Sequence, residues 1–360
     1  VLLVAALADR SRFDSFVVTG PQTGSEGSLH NELRARGVKT VVLPELVREV
    51  SPRRDAASVL ALARLLRDRQ VDVVHTNSSK AGIVGRIAAR RAGVPAVLHT
   101  VHGWPFHDHQ RAPVAAVWRL LERRTAPLAH RLVLVADSDR GKGLSAGIGR
   151  PSQYVTVRSS LELDRYGRSP THRDSMRAEL GLPPDAAVVG AVNRLSPQKD
   201  PVSLVEAFAV VAAARPEARL LVVGDGPLRP LVERRAADLG LADRVVLTGL
   251  RDDVPRLLPV MDVFLSASLW EGLPRTVVAA MASGVPVVAT PTDGVVDVVQ
   301  DGVTGLLSPT AGLGSAVLRL LDDPALAGRL VGAALVRSEE FDAREMVRRL
   351  EALYLEVLGQ

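Results

Sequence analysis

The 360-residue chain contains no cysteine. That excludes a disulfide framework, a thiolate nucleophile and a cysteine-ligated zinc site, and it points weakly to the cytosol. A membrane-spanning helix needs a run of about 18 apolar residues, and the sequence has none. No charged-then-apolar leader opens the chain at Val1. Lysine is scarce as well: Lys39, Lys80, Lys142 and Lys199 are the only four among 45 cationic side chains. Arginine-biased codon usage is the simplest source of the formal charge of +5. Moderate positive charge nonetheless favours anionic ligands and anionic lipid surfaces. What is present, 47% hydrophobic and 24% charged residues, is the balance of a globular enzyme long enough for two domains.

Strands alternate with helices along the whole chain, which predicts α/β architecture with parallel sheets. Val1 to Ala8 reads as a short helix, Phe16 to Thr19 as a strand, and Gly20 to Ser28 as a Gly/Ser/Pro loop opening a helix from Leu29 to Arg36. A strand from Lys39 to Leu43 follows, then Ser51-Pro52 as N-cap and first turn of an amphipathic helix through Arg69. The next strands are Val71 to His75, Ala96 to Thr100 and Arg131 to Val135, separated by helices over Ala81 to Ala92 and Val114 to Thr125. After Tyr154 to Val157 and the polar stretch Arg165 to Arg177, a second series begins. Its strands are predicted at Ala187 to Val192, Arg219 to Val223, Val245 to Leu247, Val263 to Leu265, Val285 to Ala289 and Gly305 to Leu307. Helices are predicted at Pro201 to Ala214, Pro227 to Leu239, Val254 to Leu258 and Pro274 to Ala282, then a helical stretch from Ala311 to Arg337 and a terminal helix from Ala343 to Leu358. The expected division is an N-terminal domain over 1–180, onto which 340–360 crosses back, and a C-terminal domain over 185–335. A doubly wound domain places its first strand near the middle of the sheet. The chain opens instead in what should be the helix after that strand, so Val1 is expected not to be the natural start.

The most informative stretch runs from Ser268-Leu-Trp-Glu271-Gly272-Leu273-Pro274 through Ala279 to Gly284 and Thr290. It reads as loop, helix and buried strand, with Pro274 at the first helical position. A helix start presents unpaired N–H groups and a partial positive charge, which suits an anionic ligand such as a diphosphate. Glu271 at its mouth can accept hydrogen bonds from sugar hydroxyls or simply cap the helix. Four of the eight histidines fall in His99-Thr-Val-His102-Gly103-Trp104-Pro-Phe-His107-Asp-His109. The cluster invites a metal reading, but its spacing matches no helical i, i+4 ligand pair. In His75-Thr-Asn-Ser78-Ser79-Lys80, the serines and the lysine can bind an acceptor or cap the next helix.

The run Glu271-Gly-Leu-Pro-Arg followed by Ala-Met-Ala-Ser-Gly-Val-Pro-Val-Val-Ala-Thr resembles the donor-site signature of GT4-type retaining glycosyltransferases. That resemblance extends over nearly the whole chain. It implies the GT-B fold, two Rossmann-like doubly wound domains facing across a cleft, and transfer of a sugar from a nucleotide sugar to a glycan, lipid-linked or small-molecule acceptor. It further implies that Arg194 and Lys199, in Asn193-Arg-Leu-Ser-Pro-Gln-Lys199-Asp200-Pro201, hold the donor diphosphate, with Asp200 and Pro201 as N-cap and first turn. Two fixed cations there can neutralise charge on a departing diphosphate, the task of a metal in other transferases. No metal or other cofactor is therefore expected. The family places Gly272, Leu273 and Pro274 on the donor, Arg251 near the nucleobase, and Glu271 and His102 in catalysis, His102 on the transferred sugar. Ser78, Ser79 and Lys80 fall in its acceptor loop. The chain departs from the pattern at Ala279, where a second glutamate should hold the ribose, and at Arg158-Ser-Ser, where relatives often have a glycine. These departures keep open a weakened or non-catalytic relative, or a sugar-nucleotide epimerase on the same architecture. The expected location is cytoplasmic, with peripheral contact at the inner face of the cell membrane possible and no nucleic-acid partner.

Overall fold

The computed structural model describes residues 1–21, 30–167 and 170–359, with the side chains of 170–172 outside the description. Along the chain come α1 (Leu2–Leu7), β1 (Phe16–Thr19), α2 (His30–Ala35), β2 (Lys39–Val42), α3 (Pro52–Asp68), β3 (Val73–Asn77), α4 (Ser79–Ala92), β4 (Ala96–Val101), α5 (Ala112–Thr125), β5 (Arg131–Leu134), α6 (Ser138–Ser145) and β6 (Tyr154–Thr156). There follow α7 (Pro170–Glu179), β7 (Val188–Val192), α8 (Pro201–Ala214), β8 (Arg219–Val223), α9 (Arg229–Asp238), β9 (Val245–Leu247), α10 (Val254–Leu257), β10 (Val263–Ser266), α11 (Arg275–Ala282), β11 (Val287–Ala289), α12 (Asp293–Val298), β12 (Leu306–Leu307), α13 (Leu313–Asp322), α14 (Pro324–Ser338) and α15 (Ala343–Leu358). Among the described residues all strand pairs are parallel. The predicted Gly/Ser loop falls mostly outside the described residues, as does the start of the helix predicted from Leu29.

One unit comprises Val1–Ser159 with Ala343–Gln360, the other Ser160–Asp342. In the first, the strands form the order β3-β4-β5-β6 and a separate pair β1-β2. The amphipathic face of α15 explains its membership of this unit. Leu350, Leu353 and Tyr354 pack with Ala96, Leu98 and Val133 of the sheet, and Glu351 accepts the Asp9 amide at 2.7 Å.

In the second unit the strand order is β12-β11-β10-β7-β8-β9. The strands read as unbroken apolar runs because both faces are covered. Val188 and Val192 enter one core while Val189 and Ala191 enter the other. From β7 the chain winds outward through β8 and β9, then returns to place β10 on the other side of β7. The crevice at the carboxyl ends of β7 and β10 is thus the switch point, where doubly wound sheets take their ligands.

Several boundaries differ from the sequence expectation for identifiable reasons. Residues 160–180, expected in the first domain, belong to the second unit. Arginines of the polar stretch are fastened there: Arg177 donates to Asp262 Oδ2 at 2.9 Å and to the Pro184 carbonyl at 2.6 Å, and Arg173 pairs with Asp262 Oδ1. The helical stretch expected over 311–337 divides into α13 and α14 where Pro324 lacks an N–H and Asp323 caps the Leu326 amide at 2.8 Å. Before α3 the Ser51 hydroxyl does not cap; Asp55 instead reaches back to the Ser51 amide at 3.1 Å. Pro274 is the N-cap, so α11 starts one residue later than predicted.

Candidate functional site

Two loops meet at the switch point of the second unit. Lys199 lies in the loop after β7 and Glu271 in the loop after β10, and their side chains form an ion pair. The Ser268 hydroxyl donates to the same Glu271 oxygen at 2.7 Å. The loops are also stitched through main chain: the Leu269 amide donates to the Gln198 carbonyl at 2.8 Å, and Gln198 Nε2 to the Trp270 carbonyl at 2.9 Å. Glu271 is only 7% exposed, so its charge is held by these two partners and does not serve as a cap on α11. Asp200 occupies the N-cap position of α8 but spends its carboxylate on the Ser203 hydroxyl at 2.6 Å. Arg194 is exposed on the same loop as Lys199.

Two glycines let backbone approach backbone here. A Cβ on Gly224 would lie 1.9 Å from the Asn193 carbonyl oxygen, and its φ of +131° is one that L side chains rarely adopt. A Cβ on Gly294, in α12, would lie 1.4 Å from the Gly272 carbonyl oxygen. Gly272 and Pro274 are buried and Leu273 half-buried under that contact, so the Glu271–Pro274 turn is clamped from behind. Arg251 is held by both oxygens of Asp253 at 2.8 Å and by Glu179 at 2.9 Å. The hydrogen bonds it donates to Asp253 and then to Glu179 push its pKa above the ordinary guanidinium value. Ala279 is 3% exposed and packs among Val277, Val278 and Met281 in one core of the unit.

In the first unit, the ends of β3 and β4 enclose a cavity of about 180 Å³ whose lining includes Ser78, Ser79, His99, His102, Trp104 and Glu122. Ser78 is the N-cap of α4 at a φ of +63°, yet its hydroxyl makes no cap bond, so the capping alternative does not hold for Ser78. His102 Nε2 lies 2.9 Å from Asn77 Oδ1. His99 is buried, with Nδ1 2.9 Å from Thr76 Oγ1. Burial, and then the nearby Arg86 charge, holds its pKa well below the usual imidazole range. Lys80, expected with Ser78 and Ser79 on an acceptor, is turned away from the cavity. It pairs with Asp55 at 2.6 Å and donates to the Val47 and Glu49 carbonyls, so it anchors the loop before α3. Among the described residues no group of three or more His, Asp or Glu side chains is arranged to hold a metal ion.

The sequence reading missed Ser268, Arg86 and Glu122. Ser268 stands three residues before Glu271 on the same loop, a spacing that offered the only clue. Arg86 and Glu122 form a buried ion pair at 2.8 Å, 0% and 1% exposed. Glu122 shares the inward stripe of α5 with Ala115 and Thr125, so helical periodicity pointed inward for a carboxylate that looked like surface.

Residues 186–323 match the family described as Glycosyl transferases group 1, and residues 1–158 match the Glycosyl transferase 4-like domain. The chain is 34% identical over 295 residues to the Escherichia coli UDP-Gal:alpha-D-GlcNAc-diphosphoundecaprenol alpha-1,3-galactosyltransferase, covering 80% of this chain and 76% of that one. It is 31% identical over 329 residues to the 2-deoxystreptamine glucosyltransferase of Streptomyces kanamyceticus, covering 85% and 82%. Among solved structures, Anabaena Alr3699/HepE in complex with UDP and glucose superposes with a TM-score of 0.81 at 22% identity, covering 94% of this chain and 99% of that one. Sucrose-phosphate synthase from Thermosynechococcus elongatus gives 0.82 at 22% identity over 99% and 92%. With two Rossmann-like units of the GT-B type and both family domains in order, this chain belongs to the group 1, GT4-like glycosyltransferases.

Proposed function

We propose that the protein moves a hexosyl group from a uridine diphosphate sugar to a lipid-linked acceptor, with retention at the anomeric carbon and no metal. The observation that carries the donor half is the meeting of Lys199 and Glu271 at the switch point of the second unit. The donor and acceptor classes rest on relatives: UDP-Gal and a diphosphoundecaprenol-linked sugar in the name of the Escherichia coli enzyme, and UDP bound to the Anabaena protein. Retention comes from the family resemblance.

In this reading the bond between the anomeric carbon and the β-phosphate oxygen breaks, and its electron pair stays on the diphosphate. Lys199, Arg194 and the N-terminus of α11 stabilise that charge, which is the contribution a metal makes elsewhere. Glu271 fixes the Lys199 ammonium group before substrate arrives and accepts sugar hydroxyls with its remaining lone pairs. The acceptor hydroxyl bonds to the anomeric carbon, and its proton passes to the departing diphosphate. Ser78, Ser79 and the His102–Asn77 pair supply hydroxyl-binding groups on the first unit. Arg251, already engaged by two carboxylates, serves the nucleobase through a fixed guanidinium plane. Catalysis of this kind suits a peripheral protein at the cytoplasmic face of a membrane.

The test is turnover with UDP-Gal, UDP-Glc and other nucleotide sugars on a diphosphate-lipid acceptor, with product analysis. Arg194→Ala, at an exposed position, is expected to lower kcat by roughly 10²-fold or more, by analogy with loss of one oxyanion donor. Its melting temperature should stay that of the wild type. Lys199→Ala is expected to lose as much rate and some stability, since Glu271 is left buried beside Ser268 alone. Wild-type rates in both variants would overturn the diphosphate assignment, and an epimerised nucleotide sugar without transfer would overturn the reaction.

A further inference from the structure

Across the parallel pair β3–β4, side-chain bridges follow from the register. Thr76 stands opposite His99 and meets it directly, Oγ1 to Nδ1 at 2.9 Å. On the other face the bridges are diagonal, because alternate residues share a face. His75, opposite Leu98, reaches forward to Thr100, Nε2 to Oγ1 at 2.6 Å. Asn77, opposite Thr100, reaches forward in the same way to His102, Oδ1 to Nε2 at 2.9 Å. Both strands turn immediately after this last pair: Ser78 has a φ of +63° and Gly103 one of +102°. A residue other than glycine held at positive φ costs energy, and such strain collects at functional sites. The turns leave Asn77 and His102 facing each other at the end of the sheet, with His102 exposed and on the wall of the cavity.

The bridge fixes more than a direction. The Asn77 amide nitrogen donates to the His75 carbonyl at 3.4 Å, so the amide oxygen is the atom turned to His102. A carbonyl oxygen accepts and cannot donate. His102 Nε2 therefore carries a proton, and in the neutral ring Nδ1 carries the lone pair. We propose that Asn77 is a positioning residue for transfer: its side-chain oxygen holds His102 as the Nε2–H tautomer and turns the Nδ1 lone pair toward a hydroxyl of the transferred sugar. The proposal rests on the reading that places His102 at that sugar. A ring fixed in this way accepts from the hydroxyl, so the site favours a sugar that carries it over the deoxy analogue. His75 of β3 and His99 of β4 feel the His102 charge and are kept neutral by burial. Glu122 of α5 lines the same cavity, and Arg86 of α4 balances its charge. A carboxylate at position 77 would favour the imidazolium, which has no lone pair to offer; the neutral asparagine does not.

The test uses the full chain, with nitrogen NMR of the imidazole rings and pH profiles of kcat for UDP-Gal and UDP-Glc on a diphosphate-lipid acceptor. His102→Gln identifies the ring signal. The wild type is expected to show His102 as the Nε2–H tautomer. Asn77→Ala should release the ring to a mixture of tautomers and lower kcat by roughly three- to ten-fold, the worth of one neutral hydrogen bond. Its UDP affinity by calorimetry and its melting temperature should stay those of the wild type. Asn77→Asp should keep the ring in place and raise its pKa, so the acid limb of the profile moves up by about one pH unit or more and the rate recovers on the alkaline side. A merely structural asparagine would not move that limb. An Nδ1–H ring in the wild type overturns the proposal, as does an unmoved acid limb in Asn77→Asp. So does a wild-type rate in Asn77→Ala beside a large loss in His102→Gln. Wild-type rates in both of those variants would instead remove His102 from the sugar, and the proposal with it. If no sugar is transferred but the ring is Nε2–H and Asn77→Ala releases it, the hold of Asn77 on His102 stands and the transfer reading falls.

Discussion

Lys199 and Glu271 show how much of a side chain's meaning depends on its partner. Each alone is a common surface residue; joined at the switch point, they form a preorganised pair with the lysine side chain 20% and the glutamate side chain 6% exposed. Ala279 makes the opposite point. The family pattern has a ribose-binding glutamate there, which leads to the expectation that Ala279→Glu tightens nucleotide-sugar binding. In the structure the Ala279 methyl is packed in an apolar core. A glutamate would bring a polar group into that core at a cost of roughly 1–3 kcal/mol even when protonated. Ala279→Glu is thus expected to lower the melting temperature without tightening the nucleotide sugar. Calorimetric titration beside a melting curve checks this, and tighter binding at unchanged stability would restore the ribose role.

Among the elements, α7 is the one whose allegiance the sequence misreported. Met176 is fully buried and Arg177 only 4% exposed, so the helix is part of the second unit's core rather than of the first domain. Asp262 is the hub: it receives Arg173, Arg177 and the Val188 amide at 2.8 Å. Its side chain is 30% exposed, which puts the interaction between a surface pair and a buried one. Asp262→Ala is expected to cost about 2 kcal/mol, below the loss for a fully buried pair and above that for a surface pair. Urea unfolding measures it, and a loss within error of zero would mean that α7 is held by its apolar contacts alone. The same logic governs α15, which His75 and Tyr354 join to the first sheet: His75 Nδ1 lies 2.6 Å from the Tyr354 hydroxyl and Nε2 2.6 Å from Thr100 Oγ1.

For the molecule as a whole, the buried histidines of the first unit set its response to acid. Burial lowers the His75 pKa from 6.5 to about 3 and holds that of His99 well below the ordinary value. The folded state keeps these rings neutral where the unfolded chain would protonate them. The His75 contribution to stability is therefore fully present above pH 6.5 and is lost as pH falls from there toward 3, and His99 acts in the same direction. Inside that window His75 adds about 1.4 kcal/mol per pH unit to the slope. The melting temperature should fall between pH 6 and pH 4, and His75→Gln should remove about one proton from the uptake on unfolding. An unchanged slope in that variant would show that His75 does not carry this dependence.

The sequence by itself determined that the chain is a succession of parallel βα units, and it located most of their strands to within two residues. Unbroken runs such as Val188 to Val192 can be buried on both faces only under helices, and glycine or proline marks many of the turns. It also placed the candidate site residues on loops after strands, because such loops are identifiable in order along the chain. Only the tertiary structure decided what each charge does. Lys199 and Glu271 lie 72 positions apart. Lys80 faces Asp55 instead of the cavity, Arg251 is engaged by Glu179, and Arg86 meets Glu122 in the interior. Apolar periodicity is a local property written into neighbouring residues, whereas the partner of an ionised group is chosen by approach through space, where desolvation leaves few alternatives.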